Sequence, residues 1–156
     1  RSAWRMFARH HYLSGSLSRA CRCFLAFWQG EPVAFCATIS LIGAKKRWRV
    51  SRIVTLPDYQ GVGIGTAVTE AVADLHLAEG HRMNITASHP AVIAHCRRSG
   101  RWRAIGVRKT GTRSARRFID TYRTSSRRAT VSFEYLGKQE PRRGHGKKPS
   151  GTAIQD

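Results

Sequence analysis

Three glycines at every second position, Gly61, Gly63 and Gly65, stand between an apolar, β-prone run and an amphipathic helical pattern. A glycine-rich turn at such a junction leaves successive backbone N–H groups unpaired, and the helix dipole adds positive potential at the same place. The product is a cradle for an anion such as a phosphate or pyrophosphate. Glycine is needed because the backbone must turn tightly and come close to its ligand. A P-loop requires Lys and Ser/Thr after its last glycine. Here Thr66 and Ala67 follow Gly65, so no lysine is present to meet a γ-phosphate. A dinucleotide loop reads G-x-G-x-x-G, whereas this spacing is G-x-G-x-G, with polar Asp58-Tyr59-Gln60 ahead of it. A glycine turn without a ligand is the plain alternative.

Titratable side chains gather at two other places. His10-His11-Tyr12 closes the first helical pattern. Imidazoles titrate near neutral pH and can take or relay a proton. The competing reading is a helix end with Tyr12 packed into the core. His95 and Cys96 lie on a later helical pattern, where His95 is a candidate acid and Cys96 reads as a small buried residue. The other cysteines are Cys21, Cys23 and Cys36. Cys21 and Cys23 are too close for an ordinary disulfide, and no C-x-x-C pair occurs. Reduced thiols and no metal are therefore expected.

The elements that position these groups follow from periodicity and turn chemistry. Residues 2–13 carry a helical apolar pattern. Arg22 to Trp28 and Val33 to Leu41 are β-prone around the turn Gln29-Gly30-Glu31-Pro32, a hairpin. After the basic loop Gly43-Ala44-Lys45-Lys46, Arg47 to Leu56 is the strand entering the glycine turn. The next helix shows Ile64, Val68, Ala71, Val72 and Leu75 at helical spacing and ends near Gly80. Met83 to Ala87 is a strand. Ser88 can cap the following helix, with Pro90 in its first turn, and Gly100 stops it after Arg98. Arg101 to Val107 and Thr130 to Leu136 read as strands, with a helix around Arg116 to Tyr122 between them. Residues 1–136 form one α/β domain with an α+β mixed sheet. Residues 137–156 are Gly/Pro/Lys-rich, a basic tail expected to be disordered.

Gln60-Gly61-Val62-Gly63-Ile64-Gly65, preceded by Leu56-Pro57, resembles the Q/R-x-x-G-x-G/A loop of the GNAT acyl-CoA N-acyltransferases. The order of elements is similar to that family's core. The resemblance implies a GNAT-like fold with splayed central strands and helices on both faces. It implies acetyl-CoA, or another acyl-CoA, as donor. Gln60, Gly61, Val62, Gly63, Ile64, Gly65 and Thr66 would hold the pyrophosphate. Val54, Thr55 and Leu56 would lie beside the pantetheine arm. Many members read N-x-x-A-x-x-x-Y-x-x-x-G-F after the second splayed strand. His89 stands at the Asn position here and Cys96 at that of the Tyr, which usually supplies the acid, with His95 beside it. His10, His11 and Tyr12 would border the acceptor cleft. No carboxylate base is present on the strand before the loop, where Ser51 and Arg52 stand instead. His11-Tyr12-Leu13-Ser14-Gly15 has a weaker similarity to the His-Tyr-Ser-Gly stretch of Mom-type phage DNA-modification enzymes.

The charge is the other strong signal. Among 156 residues, 28 are Lys or Arg and 9 are Asp or Glu, a formal +19. Such a balance attracts polyanions and makes association salt-sensitive. From Arg97 to Arg128 basic residues recur with Asp120 the sole acid. Arginine dominates, and its planar fork grips phosphates bidentately. Arg97, Arg98, Arg113, Arg116 and Arg117 are therefore candidate nucleic-acid contacts, against the reading of a merely solvated basic face. The expected acceptor is a nucleic acid, DNA or RNA, or a target bound to one. A small amine or protein amino group is the alternative, and a non-catalytic nucleic-acid-binding module on the same fold is a third. Few acids argue against polyamine substrates. No run is long enough to span a membrane and no signal-peptide pattern is visible, so a cytoplasmic location is expected. The sequence starts at Arg1 without an initiator Met, as a trimmed chain or fragment would.

Overall fold

The structure is a computed structural model that describes residues 1–11, 16–109 and 129–138. The chain runs α1 (Trp4–Ala8), β1 (Arg22–Trp28), β2 (Glu31–Ser40), β3 (Arg47–Thr55), a 3-10 turn (Pro57–Tyr59), α2 (Ile64–Ala78), β4 (Arg82–Ala87), α3 (Pro90–Arg98), β5 (Trp102–Arg108) and β6 (Thr130–Tyr135). The six strands form one sheet in the order β1-β2-β3-β4-β6-β5. Every neighbouring pair is antiparallel except β3 and β4. A parallel pair needs a crossover, and α2 supplies it. The expected helix at Arg116 to Tyr122 and the tail from residue 139 lie outside the described residues.

The β1–β2 hairpin turns on Gln29 and Gly30, with φ of 50° and 87°. Two consecutive positive φ values are the mark of a type I′ turn, whose twist matches that of the strands. The strand therefore begins at Glu31, earlier than the expected Val33. Pro32 is tolerated because it lies beyond the last β2–β3 pair, Ala34 with Thr55.

Alternation along β2 sorts the two faces of the sheet. Phe35 and Ala37 pack with Trp4 and Phe7 of α1 and with Val54. Thr38 points the other way, to His76 of α2. A second core joins Ala73 of α2 and Cys96 of α3 to Met83, Ile85, Trp102 and Phe133. Helix α1 thus covers one face, and α2 and α3 cover the other.

Three local expectations change. The α1 helix is only five residues long, its first turn uncapped by any side chain. His89, not Ser88, is the N-cap of α3, without a side-chain capping bond, while Pro90 takes the first-turn position. The buried face of α2 is Thr69, Val72, Ala73 and His76, and Leu75 is 52% exposed. The stripe turns toward two polar residues because each finds a partner inside. Thr69 Oγ1 donates to Gly65 O at 2.7 Å, and His76 Nε2 meets Thr38 Oγ1 at 3.0 Å.

Candidate functional site

Strands β3 and β4 pair at only three positions, Arg47 with Arg82, Trp48 with Met83 and Arg49 with Asn84. Beyond them β3 stays with β2 as far as Thr55, and β4 stays with β6 as far as Ala87. The two strands therefore part, and a wedge opens between them at the end that carries the glycine turn. Leu56 N–H donates to Val33 O at 2.9 Å. In the alternating antiparallel pattern the backbone groups of Thr55 and Ile53 then face the wedge, and those of Val54 and Leu56 face β2. The Val54 side chain is buried in the α1 core. Gln60 Nε2 donates to Thr55 O at 2.9 Å, tying the loop to the strand end and leaving the Thr55 N–H toward the wedge.

The loop itself has the form its glycines dictate. Gly61 and Gly63 hold φ of 85° and 89°, where a side chain is strained. Gly63 is the N-cap of α2. A Cβ at Gly61 would meet nothing within 4 Å, and one at Gly63 only Thr66 Oγ1 at 3.9 Å, so the space over the loop is open. Gly65 serves packing: a Cβ there would sit 2.9 Å from Thr55 Oγ1. Thr66 Oγ1 donates to Gly63 O at 2.8 Å. Among the described residues, the N–H groups from Gly61 to Thr66, Val62 and Ile64 included, make no backbone bond. Open space, unpaired donors and a helix N-terminus fit the pyrophosphate of an acyl-CoA, and the wedge offers strand backbone to its amide-bearing arm.

Helix α3 leaves the far strand of the wedge. His89 is exposed at its start. His95, a candidate acid, has a carboxylate partner: its Nε2 lies 2.7 Å from Glu70 Oε1 of α2. Glu70 also accepts from Ser99 Oγ (2.9 Å), Arg101 Nη1 (2.8 Å) and Trp102 Nε1 (3.2 Å). Burial pushes the Glu70 carboxyl up, but the hydrogen bonds from His95, Ser99 and Trp102 outweigh it and leave the pKa below its ordinary value. Cys96 is 1% exposed, and burial drives its thiol up to about 12, so it is core. The sequence reading missed Glu70. Its signal was weak: one of few acids, next to the buried Thr69 on α2.

That hub yields a stability prediction. Glu70→Ala leaves four donors without their acceptor, and should cost about 3 kcal/mol by urea unfolding. Because the folded pKa is lowered from 4.5, this contribution is complete above pH 4.5 and is lost as pH falls through the folded value. The gap between parent and variant should therefore narrow in acid. A gap that is constant with pH would contradict the role given to the charge.

His10 and His11 follow α1. His10 Nε2 accepts from Arg9 Nε at 3.0 Å. The His11 ring sits edge-on to Trp4 at 5.8 Å between centroids. Trp4 packs on Phe35, near Val54 and Leu56 at the end of β3. His11 is thus on the sheet face opposite His95. Tyr12 lies outside the described residues, as do Arg113, Arg116 and Arg117. Arg97 and Arg98 line an open groove on α3 with Pro90, Ile93 and Ala94. Ser51 and Arg52 are committed to backbone, through Ala37 O and Ser16 O. Of the tryptophans set among arginines, Trp102 is buried and Trp48 packs against His76.

The Acetyltransferase (GNAT) family model matches residues 2–100. An acetyltransferase from Bacillus subtilis solved with CoA is similar at 11% identity and TM-score 0.65, over 86% of this chain and 91% of that one. The ribosomal-protein-S18-alanine N-acetyltransferase of Escherichia coli is similar at 20% identity and TM-score 0.55, over 81% and 76%. A GNAT family acetyltransferase from Elizabethkingia anophelis with acetyl-CoA bound gives 11% and 0.56, over 74% and 76%. No curated protein matches the sequence. No helix among the described residues is long and apolar enough to cross a membrane. With an open glycine loop at the mouth of a parted parallel pair, and a family match over more than half its length, this chain belongs to the GNAT acetyltransferase family and takes acyl-CoA as its cofactor.

Proposed function

We propose that this protein transfers an acyl group, acetyl in the first instance, from acyl-CoA to an amine carried by a nucleic acid or by a protein bound to one. The donor half rests on the wedge between β3 and β4 with the loop Gln60 to Thr66 at its mouth. The acceptor half rests on one observation, the formal charge of +19. Such a field concentrates polyanions and not cationic amines. Arg97 and Arg98 on α3 and Arg108 at the end of β5 continue it onto the described surface. His10 and His11, which follow α1, and Tyr12 beside them in sequence are proposed to receive the amine. An imidazole can take the proton the amine loses as its nitrogen bonds to the acyl carbon, while the carbon–sulfur bond breaks and CoA leaves as its thiolate.

Label from radioactive acetyl-CoA should appear in nuclease-sensitive material or in a ribonucleoprotein subunit, identified by mass spectrometry. Label confined to free small amines would place the acceptor elsewhere, and no transfer at all would leave a binding module. Duplex binding should also weaken linearly in log salt, at about −0.9 per phosphate neutralised. Replacing Arg113, Arg116 and Arg117 by Gln should flatten that slope. Binding indifferent to salt would remove the electrostatic basis of the proposal.

A further inference from the structure

We propose that His76, Glu79 and His81 form a site for a divalent ion of the zinc class, apart from the acyl-transfer wedge. The site is made by the way α2 ends. Gly80 has φ of 74°. Gly80 N–H donates to Leu77 O and His81 N–H to His76 O, each at 2.9 Å. This pair of bonds is a Schellman motif, which turns the chain back over the last helical turn. It brings one ligand atom from each of His76, Glu79 and His81 within 4.8 Å of the others.

The ring nitrogens carry the argument. His76 is fully buried, and its Nε2 is engaged by Thr38 Oγ1 at 3.0 Å. Its Nδ1 is buried without a hydrogen-bond partner. The Nδ1 of His81 is likewise buried and unbonded: it lies 3.2 Å from Glu79 Oε2 but outside hydrogen-bonding direction. Buried polar atoms are nearly always satisfied, so two orphaned nitrogens beside one carboxylate call for a shared partner. Metal-bound histidines commonly donate their second N–H to a fixed oxygen, which is the place Thr38 occupies. Two imidazoles and a carboxylate, with no thiolate, suit zinc over calcium or magnesium and leave a fourth position for water.

Arg22 is the counterweight. Its guanidinium grips both Glu79 oxygens, with Nη2 to Oε1 at 2.7 Å. A carboxylate offers about four lone-pair sites, so the fork occupies half of them. The arginine then serves as the outer donor that ligating carboxylates usually have. The negative end of the α2 dipole favours the cation. Helix α2 has 15 residues, placing the site about 22 Å along the axis from the glycine loop. The ion's role is to fasten the last turn of α2 to the turn that leads into β4, not to act on the thioester, so the site does not depend on the proposed acceptor.

The test uses the full chain, untagged and stripped of metal, titrated with zinc and with cobalt(II). One equivalent should bind, with tetrahedral cobalt absorption and no sulfur-to-cobalt charge transfer, and zinc should raise the melting temperature. Glu79→Gln and His81→Ala, both at partly exposed positions, should abolish that rise and weaken binding at least about tenfold. Thr38→Val should weaken it about 10–100-fold. Acetyl transfer should be the same with and without zinc. Absence of stoichiometric binding, unchanged binding in Glu79→Gln and His81→Ala, or a thiolate charge-transfer band from Cys21 and Cys23 would each overturn the site.

Discussion

Gly63→Glu is expected to abolish CoA binding while the protein stays folded. Gly63 holds φ of 89° as the N-cap of α2, a conformation that costs an ordinary residue about 1–2 kcal/mol. Strain is the smaller effect. A glutamate there would place its carboxylate among the N–H groups of the first turn, in space that is open because Gly63 has no side chain. It would neutralise the anion cradle from within and repel the pyrophosphate. Losing the cradle should lower CoA affinity by at least about 100-fold, equivalent to about 2.8 kcal/mol, in calorimetry. Gly63→Ala separates the two effects. It carries the same φ strain, and its nearest neighbour would be Thr66 Oγ1 at 3.9 Å, so binding should fall only slightly. Equal CoA binding by parent and Gly63→Glu would remove this loop from the donor site.

Legibility from sequence tracked how local each feature is. The glycine loop was readable because a few consecutive residues determine its backbone and its open donors. The ends of β1, β3 and α3 were readable from turn residues and from Gly100. The wedge was legible only through the GNAT resemblance. Arg47 to Leu56 reads as one continuous strand, and nothing in it states that pairing with β4 stops at Arg49. His76 defeated the pattern because polarity reads as surface, and its burial depends on Thr38, 38 residues earlier. Leu75 took its place in the expected stripe and is exposed. His95 drew attention as an acid, but its partner Glu70 is 25 residues away on another helix. Local spacing shows that a residue can do chemistry, while a distant neighbour decides whether it is already engaged.

His11→Ala is expected to lower turnover about 100-fold, within the usual range for a general acid or base, with CoA affinity unchanged. The argument is one of faces. The donor loop opens α2, and α2 shares its face of the sheet with α3 and His95. Helix α1 lies on the other face, and His11, edge-on to Trp4, is held beside the end of β3 at the mouth of the wedge. An amine arriving from that side meets His11 without crossing the donor. The variant should also lose the acidic limb of the pH–rate profile that an imidazole base gives, a change that a packing defect would not produce. Tyr12→Phe removes only a hydroxyl from the same cluster and tests its share. His95→Ala is the discriminating control. It takes one donor from Glu70, so it should lower stability and leave turnover intact at temperatures where the protein is folded. Full activity in His11→Ala together with its loss in folded His95→Ala would move the chemistry to α3.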